Sequence, residues 1–333
     1  MKDLIKRLTE TYGPSGNEEK VRETIKKEIE KYVDETKVDV LGNLIAHQKG
    51  SGVKVMLAAH MDEIGVVVIH IDEKGFLRFS NVGGVFPLNV LGQRVVFANG
   101  LIGTIGEEKR ESAKDELKLE KMFIDLGASN KEIAQKMVKI GDVAAFQRDL
   151  HDLGVRLISK AMDDRIGCVV LIETIKQLKK TPNDLYFVFT VQEEVGVRGA
   201  MTSTYGISPD IGLAVDITGT GDTPEARTMA VELGKGPAIK VKDVGLLAHP
   251  KVKRMMIEIA EREKIPYQLE VLERGATDAW AIHTTKEGVP SGVLSVPTRY
   301  VHTPSEMIDL GDVEKTIALL RKILQEDIRK WIQ

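Results

Sequence analysis

The sequence predicts an α/β fold that carries an inserted, mostly β module. Two apolar runs, Val53–Ala59 and Leu185–Val191, are typical of buried strands, and each is followed by charged residues. Helical periodicity flanks these runs, for example over Asp164–Lys180. Between about Val66 and Gly154 the pattern changes to short alternating segments with turns rich in glycine and asparagine. Because α/β sequence lies on both sides of these segments, we interpret them as an insertion.

Composition excludes several classes of protein. The chain has 333 residues, with 47 basic and 50 acidic side chains and a net charge of −3, so nucleic acid and anionic membranes are poor partners. The single cysteine, Cys168, excludes an intrachain disulfide and favours a reducing compartment. The N-terminal segment is charged and amphipathic, and no stretch has the length of a membrane span. We therefore expect a soluble, cytoplasmic protein.

In chain order, the patterns predict two helices, a hairpin, the β module and then alternating strands and helices. The N-terminal elements are helices over 2–12 and 18–32, a hairpin over 38–47 and the strand Val53–Ala59. The module has strands over Val66–Ile71, Phe76–Phe79, Arg94–Ala98, Leu101–Ile105 and Asp142–Phe146. The C-terminal half has strands over Leu185–Val191, Ile211–Val215, Gln268–Val271 and Gly292–Val296, and helices over Asp164–Lys180, Val252–Glu263 and Val313–Ile332.

These patterns divide the chain into two domains. We expect an α/β domain from residues 1–66 and 155–333, and an inserted β domain from residues 67–154. Within the insertion, Glu107–Lys121 is a dense run of mixed charge, which is typical of an exposed, mobile loop.

Polar residues follow four predicted strands and precede one helix. They are His60, Glu193 with Glu194, Asp216, His302, and the pair Asp163 and Asp164. Ligands of open α/β sheets bind beyond the carboxyl ends of the strands, so we expect these residues on one rim. Other interpretations exist for each: a solvated loop explains two glutamates, and one aspartate can cap a helix. Together, two imidazoles and several carboxylates without a thiolate suit zinc, cobalt or manganese.

The same set of residues suggests hydrolytic chemistry. If two divalent metals take two histidines, two aspartates and one glutamate, then one glutamate is left free to take a proton from a metal-bridging water. The carboxylate of Asp62, two residues after His60, can fix the tautomer of that imidazole. The residues alone do not decide whether Asp163 or Asp164 bridges the metals.

Five ordered motifs resemble a known family. They are HMDEIG (60–65), AMDDRIGC (161–168), QEEVGVRGA (192–200), LAVDIT (213–218) and VPTRYVHTPSEM (296–307). The sequence resembles the TET-type glutamyl/leucyl aminopeptidases, dinuclear-metal exopeptidases of the zinc-peptidase clan, over essentially the whole chain. The resemblance implies a doubly wound, mixed-sheet, zinc-exopeptidase-like catalytic domain and an inserted PDZ- or barrel-like dimerisation domain. It further implies dimers that assemble into a tetrahedral dodecamer, for which Asn81–Pro87 and Glu107–Lys121 are candidate contact surfaces.

The resemblance also assigns roles by position. Asp163 would bridge two metals through a cis peptide bond to Asp164, with His60 and Asp216 on opposite metals. The remaining roles are Glu194 and His302 as further ligands, Glu193 as general base and Asp62 as the residue that orients His60. The sequence departs from the family at Gly275-Ala276, where a second glycine is frequent.

The resulting prediction is a metal-dependent aminopeptidase, with two zinc or cobalt ions (manganese is also possible), that acts on short peptides. The ligand set also fits a deacylase or dipeptidase of the same clan, and some relatives carry an endoglucanase label. A glycosidase needs two carboxyls about 5–9.5 Å apart across a sugar, which adjacent Glu193 and Glu194 do not provide. A non-enzymatic assembly protein would leave the ligand set unused. An acidic N-terminal preference would use Arg299 or Arg198 and an apolar one would use Gly292–Val293; we favour neutral, apolar residues.

Overall fold

The computed structural model describes residues 1–110, 112 and 116–332. The strands are β1 (Glu35–Val38), β2 (Leu44–Gln48), β3 (Lys54–His60), β4 (Gly65–Ile71), β5 (Leu77–Val82), β6 (Arg94–Phe97), β7 (Ile102–Glu107), β8 (Met122–Asp125), β9 (Val143–Phe146), β10 (His151–Asp152), β11 (Arg156–Ser159), β12 (Asp184–Thr190), β13 (Ile211–Thr218), β14 (Ala238–Lys242), β15 (Gln268–Val271), β16 (Ser291–Arg299) and β17 (Glu306–Asp309). The helices are α1 (Lys2–Glu10), α2 (Glu19–Ile29), α3 (Pro87–Val90), α4 (Lys131–Met137), α5 (Met162–Gln177), α6 (Arg198–Ile207), α7 (Pro250–Arg262), α8 (Asp278–His283), α9 (Leu310–Gln325) and α10 (Arg329–Ile332).

A mixed sheet forms the larger part of the molecule. Its order is β1-β2-β12-β3-β13-β16-β17-β11-β10, with β14 and β15 branching from β16. The four central strands, β12, β3, β13 and β16, are parallel, whereas β2 and β17 pair with them in the antiparallel direction. Successive side chains of β3 pack against helices on opposite faces of the sheet, so that Leu57 joins the core with α5 and Ala58 packs near Ile282 of α8. The predicted doubly wound, mixed-sheet fold is confirmed.

The inserted module is a closed barrel. Its strands follow the order β4-β5-β8-β7-β6-β9 and enclose an apolar core of their own, separate from the core of the large sheet. Five of the six strands lie where alternation predicts them, and β8 was not predicted, because it follows the charged run 107–121. Residues 111 and 113–115 of that run lie outside the described residues. The domain boundaries at 66/67 and 154/155 stay a prediction.

Two other expectations differ from the structure. The predicted helix over 313–332 is wrong, since it is divided into α9 and α10. Buried Asn183 causes the break: its amide donates to the carbonyls of Leu324 and Glu326, and its oxygen accepts from the N–H of Ile328. Strand β13 continues to Thr218, so that Asp216 lies within the strand. No helix among the described residues is long and apolar enough to cross a membrane.

A buried ionic network joins two segments of the chain to the start of helix α5. One segment is the end of α1 with the turn that follows it, and the other is the segment after β3. The Glu63 carboxylate lies 2.6 Å from Lys160 Nζ and 3.3 Å from an Arg165 guanidinium nitrogen, and all three side chains are almost fully buried. Arg165 also donates to the carbonyls of Leu8, Thr11 and Gly13 at 2.6–3.1 Å. The network fixes the end of β3 and the segment that follows it, which carry His60 and Asp62, against the start of α5.

We expect Glu63→Gln to destabilise the protein, because it leaves two buried cations without their anion. Breaking a buried ion pair from one side typically costs about 3–5 kcal/mol. The check is the guanidinium unfolding midpoint, with Glu258→Gln as control. Glu258 pairs with Arg254 at 3.6 Å on the exposed face of α7, where a change within about 0.5 kcal/mol is expected. Equal midpoints for the two variants would contradict a stabilising role for the network.

Candidate metal centre

The polar residues predicted to meet at the carboxyl rim of the sheet do lie together there. Strand β3 ends at His60, and its parallel neighbour β12 ends at Thr190, which pairs with His60 in register. Glu193 and Glu194 follow β12 in a tight turn, closed by the N–H groups of Gly196 and Val197 on the Glu193 carbonyl. His302 follows β16 by three residues, with a positive φ of 60°.

Asp163 lies between the two imidazoles. Its Oδ1 is 3.0 Å from His60 Nε2, and its Oδ2 is 3.4 Å from His302 Nε2. The peptide bond from Asp163 to Asp164 is cis, as the family resemblance implies. The Asp164 carboxylate accepts from the N–H of Gly167 at 2.9 Å and of His60 at 3.3 Å, so it is engaged by backbone. The geometry therefore separates two aspartates that the sequence alone could not.

Two groups of potential ligands share Asp163. The first contains His60, Asp163 and Asp216, and the second contains Asp163, Glu194 and His302; within each group the ligand atoms lie within 4.8 Å of one another. This grouping differs from the expectation that His60 and Asp216 bind opposite metals, because it places both residues with Asp163. Glu193 belongs to neither group, although its Oε2 lies 3.9 Å from His60 Nε2.

Asp62 contacts both the imidazole and the glutamate turn. Its carbonyl accepts a hydrogen bond from His60 Nδ1 at 3.1 Å, and its Oδ1 lies 3.5 Å from the same nitrogen. The carboxylate also accepts from the N–H groups of Glu193 at 2.9 Å and Glu194 at 3.2 Å, and from Ser15 Oγ at 2.6 Å. Although burial opposes it, the hydrogen bonds from His60 and Ser15 lower the pKa of Asp62. His60 Nε2 consequently faces Asp163.

The electrostatics of the centre favour a cation. Burial, reinforced by neighbouring carboxylates, raises the pKa of Glu193 and of Asp216 well above the usual range, and that of Glu194 to about 7. Glu194 Oε1 is buried without a hydrogen-bond partner among the described residues. Despite the opposing effect of burial, Asp163 and Glu194 raise the pKa of His302 to about 10. A set of nitrogen and oxygen donors with this excess of negative charge fits divalent zinc, cobalt or manganese.

Glu306 is a residue of the centre that sequence reasoning missed. Its Oε1 accepts from the N–H of His302 at 2.9 Å, and its Oε2 accepts from the N–H of Asp163 at 3.1 Å. The side chain is almost fully buried, and burial together with Asp163 raises its pKa to about 8. Glu306 is part of the same sequence motif as His302 and follows it by four residues. Spacing alone, however, does not show which backbone groups a carboxylate reaches.

The barrel also contacts the centre. A Cβ atom on Gly84, in the loop after β5, would lie 2.4 Å from His302 Nδ1, so only glycine allows this close approach. Asn89 lies in helix α3, which follows this loop, and its Nδ2 donates to the carbonyl of His302 at 3.3 Å. The segment Asn81–Pro87, expected at a contact between subunits, therefore touches His302 within one chain.

The residues considered for substrate preference have defined surroundings. Arg299 forms two hydrogen bonds with the Asp222 carboxylate, at 2.9 and 2.7 Å, so its charge is compensated. Arg198 is exposed and donates to the side chain of Gln192 at 3.3 Å. Gly292 and Val293 lie inside buried β16, and Val293 packs with Ala214 in the sheet interior.

Comparison with known proteins identifies the family. The model of a family described as M42 glutamyl aminopeptidase matches residues 42–319. A protein of Acetivibrio thermocellus, provisionally named an aminopeptidase, is 56% identical over 321 residues, covering 96% of this chain and 97% of that protein. The lysyl aminopeptidase of Pyrococcus furiosus is 38% identical over 337 residues, covering 97% of this chain and 96% of that protein.

Solved structures agree with this fold. An aminopeptidase from Desulfurococcus kamchatkensis has a TM-score of 0.95 at 44% identity, covering 99% of this chain and 96% of that one. The TET1 peptidase of Pyrococcus horikoshii can assemble into a tetrahedron or a large octahedral shell. It has a TM-score of 0.87 at 35% identity, and the match covers 98% of this chain and 99% of that one. A Thermotoga maritima protein named as an endoglucanase has a TM-score of 0.84 at 36% identity and covers 99% of each. The predicted resemblance is confirmed: this chain is a peptidase and belongs to the M42 aminopeptidase family.

Proposed function

We propose that this aminopeptidase holds two divalent metal ions and removes N-terminal residues from short peptides, with Glu193 as its general base. The observation that carries the proposal is the position of Asp163 between His60 and His302, shared by two groups of potential ligands. A single aspartate with one oxygen toward each imidazole is the arrangement that a bridging ligand requires.

The residues would hold the metals in two sets. His60, Asp163 and Asp216 would bind one ion, and Asp163, Glu194 and His302 would bind the other. Zinc or cobalt suits these donors, and manganese is also compatible. When bound, the ions would polarise the scissile carbonyl and lower the pKa of the attacking water.

Glu193 would move the proton. Its Oε2 lies 3.9 Å from His60 Nε2, and its backbone N–H donates to the Asp62 carboxylate at 2.9 Å. Burial raises the pKa of the Glu193 carboxyl, and a carboxylate with a raised pKa is a better proton acceptor. We propose that Glu193 takes the proton of the attacking water and delivers it to the departing amine. Asp62 would orient the His60 ring, and so present Nε2 to a metal.

Substrate preference would follow from the compensated arginine. Because Asp222 neutralises Arg299, we propose that neutral, apolar N-terminal residues are preferred over acidic ones. Arg198 is the remaining candidate for recognising an acidic residue. The named relatives include a lysyl and a glutamyl aminopeptidase, so preference varies among similar chains.

We propose a cytoplasmic homo-oligomer. The catalytic domain would comprise residues 1–66 and 155–333, and the barrel domain, residues 67–154, would mediate dimer formation. Dimers would then assemble into a tetrahedral dodecamer. The support for this is the TET1 peptidase, which adopts a tetrahedron or an octahedral shell and covers almost the whole of this chain.

We expect metal-stripped protein to be inactive on aminoacyl-p-nitroanilides and to recover activity with zinc or cobalt. Metal ions supply charge stabilisation that the chain's own side chains lack. The measurement is initial rate across a panel of N-terminal residues, with carboxymethyl cellulose as a parallel substrate and metal content determined per subunit. Two metals per subunit are expected.

Activity on cellulose with none on any peptide would overturn the peptidase assignment and favour the endoglucanase name of one similar structure. Hydrolysis of acylated amino acids or dipeptides alone would favour a deacylase or dipeptidase.

We expect Glu193→Gln to lower kcat by about 10²- to 10⁴-fold, the usual contribution of a general base. Metal content should remain that of the unmodified protein, since Glu193 belongs to neither ligand group. Glu132→Gln, at an exposed position of α4, is the control and should keep full activity. Loss of metal in Glu193→Gln would contradict the role as base and would point to a ligand.

We expect Glu306→Gln to weaken metal retention by about 10- to 100-fold, the usual effect of losing a group that orients ligands. The substituted amide would set its N–H₂ against the N–H of His302 or of Asp163, both of which donate to Glu306. The measurement is metal content against chelator concentration, followed in parallel with the unfolding midpoint of the metal-free protein. An unchanged chelator profile would show that Glu306 does not position the ligands.

A further inference from the structure

A wide cleft opens beside the candidate metal centre, at the junction of the barrel and the large sheet. It has a volume of about 770 Å³, within the range of small-ligand sites. Its lining includes Arg94 and Arg148 from the barrel side, His151, and Tyr300 and Thr303 from the segment that carries His302. We refer to it as the arginine cleft.

The arginine cleft is continuous with the centre along two segments. Thr303 lines both this cleft and the small cavity that contains Asp163, Glu194 and His302. Phe146, at the end of β9, lines the small cavity, and Arg148 lies two residues further along. Because Thr303 directly follows His302, a peptide held at the centre can extend past Thr303 into the arginine cleft.

The arginine cleft has a net positive charge that no ion pair among the described residues neutralises. Neither the Arg94 nor the Arg148 guanidinium forms an ion pair with any carboxylate of the part of the chain that the structure describes; Arg148 donates to Gln93 Oε1 at 2.9 Å. Asp149 is the acidic residue of the lining, and it accepts from Gln147 Nε2 at 3.3 Å. Two exposed arginines therefore face the cleft against one carboxylate, with His151 beside them.

The two arginines lie at the same end of the β6–β9 pair. The N–H of Gln147, the residue before Arg148, donates to the Arg94 carbonyl at 2.9 Å, and Arg148 itself donates to Oε1 of Gln93, the residue before Arg94. Paired guanidiniums are well suited to carboxylates, because each offers parallel N–H donors to the two oxygens.

We propose that the arginine cleft binds a carboxylate of the substrate on the C-terminal side of the scissile bond. The inference rests on the proposed function, because an aminopeptidase keeps one residue at the centre and must lead the remaining peptide out through an opening. The carboxylate can be the C-terminus of a di- or tripeptide or an acidic side chain of a longer one. Recognition of a nearby C-terminus makes the enzyme favour short peptides.

The test compares Arg94→Gln/Arg148→Gln with the unmodified enzyme, metal-loaded, on four substrates. They share the N-terminal residue that the p-nitroanilide panel ranks first, and are a tripeptide acid, its C-terminal amide, a tripeptide amide with aspartate at position three, and the p-nitroanilide. The tripeptide acid carries a carboxylate at its C-terminus, and the aspartate-containing amide carries one on a side chain. The plain tripeptide amide and the p-nitroanilide carry none. Controls are Arg94→Lys/Arg148→Lys, which keeps the charge, and Arg254→Gln, an exposed arginine outside the cleft.

We expect kcat/KM for the tripeptide acid to fall roughly tenfold or more in the glutamine variant, which is the value of a charge-assisted hydrogen bond. The amide and the p-nitroanilide should stay within twofold, and the lysine variant should retain most activity. A fall on the aspartate-containing amide as well identifies any carboxylate as the ligand, whereas a fall on the acid alone identifies the C-terminus. An equal fall on all four substrates, or no fall on any, overturns the proposal. If the unmodified enzyme hydrolyses none of the peptides with metal, it is the proposed function that fails.

Discussion

The structure depends on balancing negative charge at a buried sheet rim. Asp163, Glu193, Glu194 and Asp216 are gathered around two imidazoles, and burial raises the pKa of three of these carboxyls. Charged groups are costly away from water unless they are paired, so this rim is unfavourable without positive charge. Divalent cations would supply that positive charge. The folded chain alone leaves Glu194 Oε1 without a partner among the described residues.

Three surrounding features hold the acids in place against their mutual repulsion. Asp62 fixes the backbone of the glutamate turn, and Glu306 fixes the backbone of Asp163 and His302. The Glu63 network anchors the start of α5, from which Asp163 projects. All three features are buried carboxylates that accept from N–H groups, so the rim is organised by acids that are not themselves candidate ligands. The close approach of Gly84 to His302 adds the barrel to this support.

The sequence predicted the positions of the rim residues better than their contacts. An apolar run followed by a polar cluster identifies the end of a buried strand, which is why His60, Glu193 and Glu194 could be placed without a structure. The choice of Asp163 over Asp164 depends on backbone geometry at the start of α5, where both residues depart from helical torsion angles. The pairing of His60 with Asp216 depends on which strands are neighbours. Glu306 and Asn183 act on backbone groups distant in sequence, a kind of contact that periodicity does not encode.

Reaction class and substrate choice therefore depend on different parts of the molecule. The candidate donors other than Asp163 stand on or after the four central parallel strands, so the proposed chemistry depends on the order of those strands. Selection of the peptide would depend on charges at the ends of strands and just beyond them, and the net effect of a charge depends on its partner. Arg299 is paired with Asp222, whereas Arg94 and Arg148 face an open cleft. An arginine count from the sequence treats these three residues as equal. Only their ion pairing separates a residue that stabilises a loop from residues free to bind a substrate carboxylate.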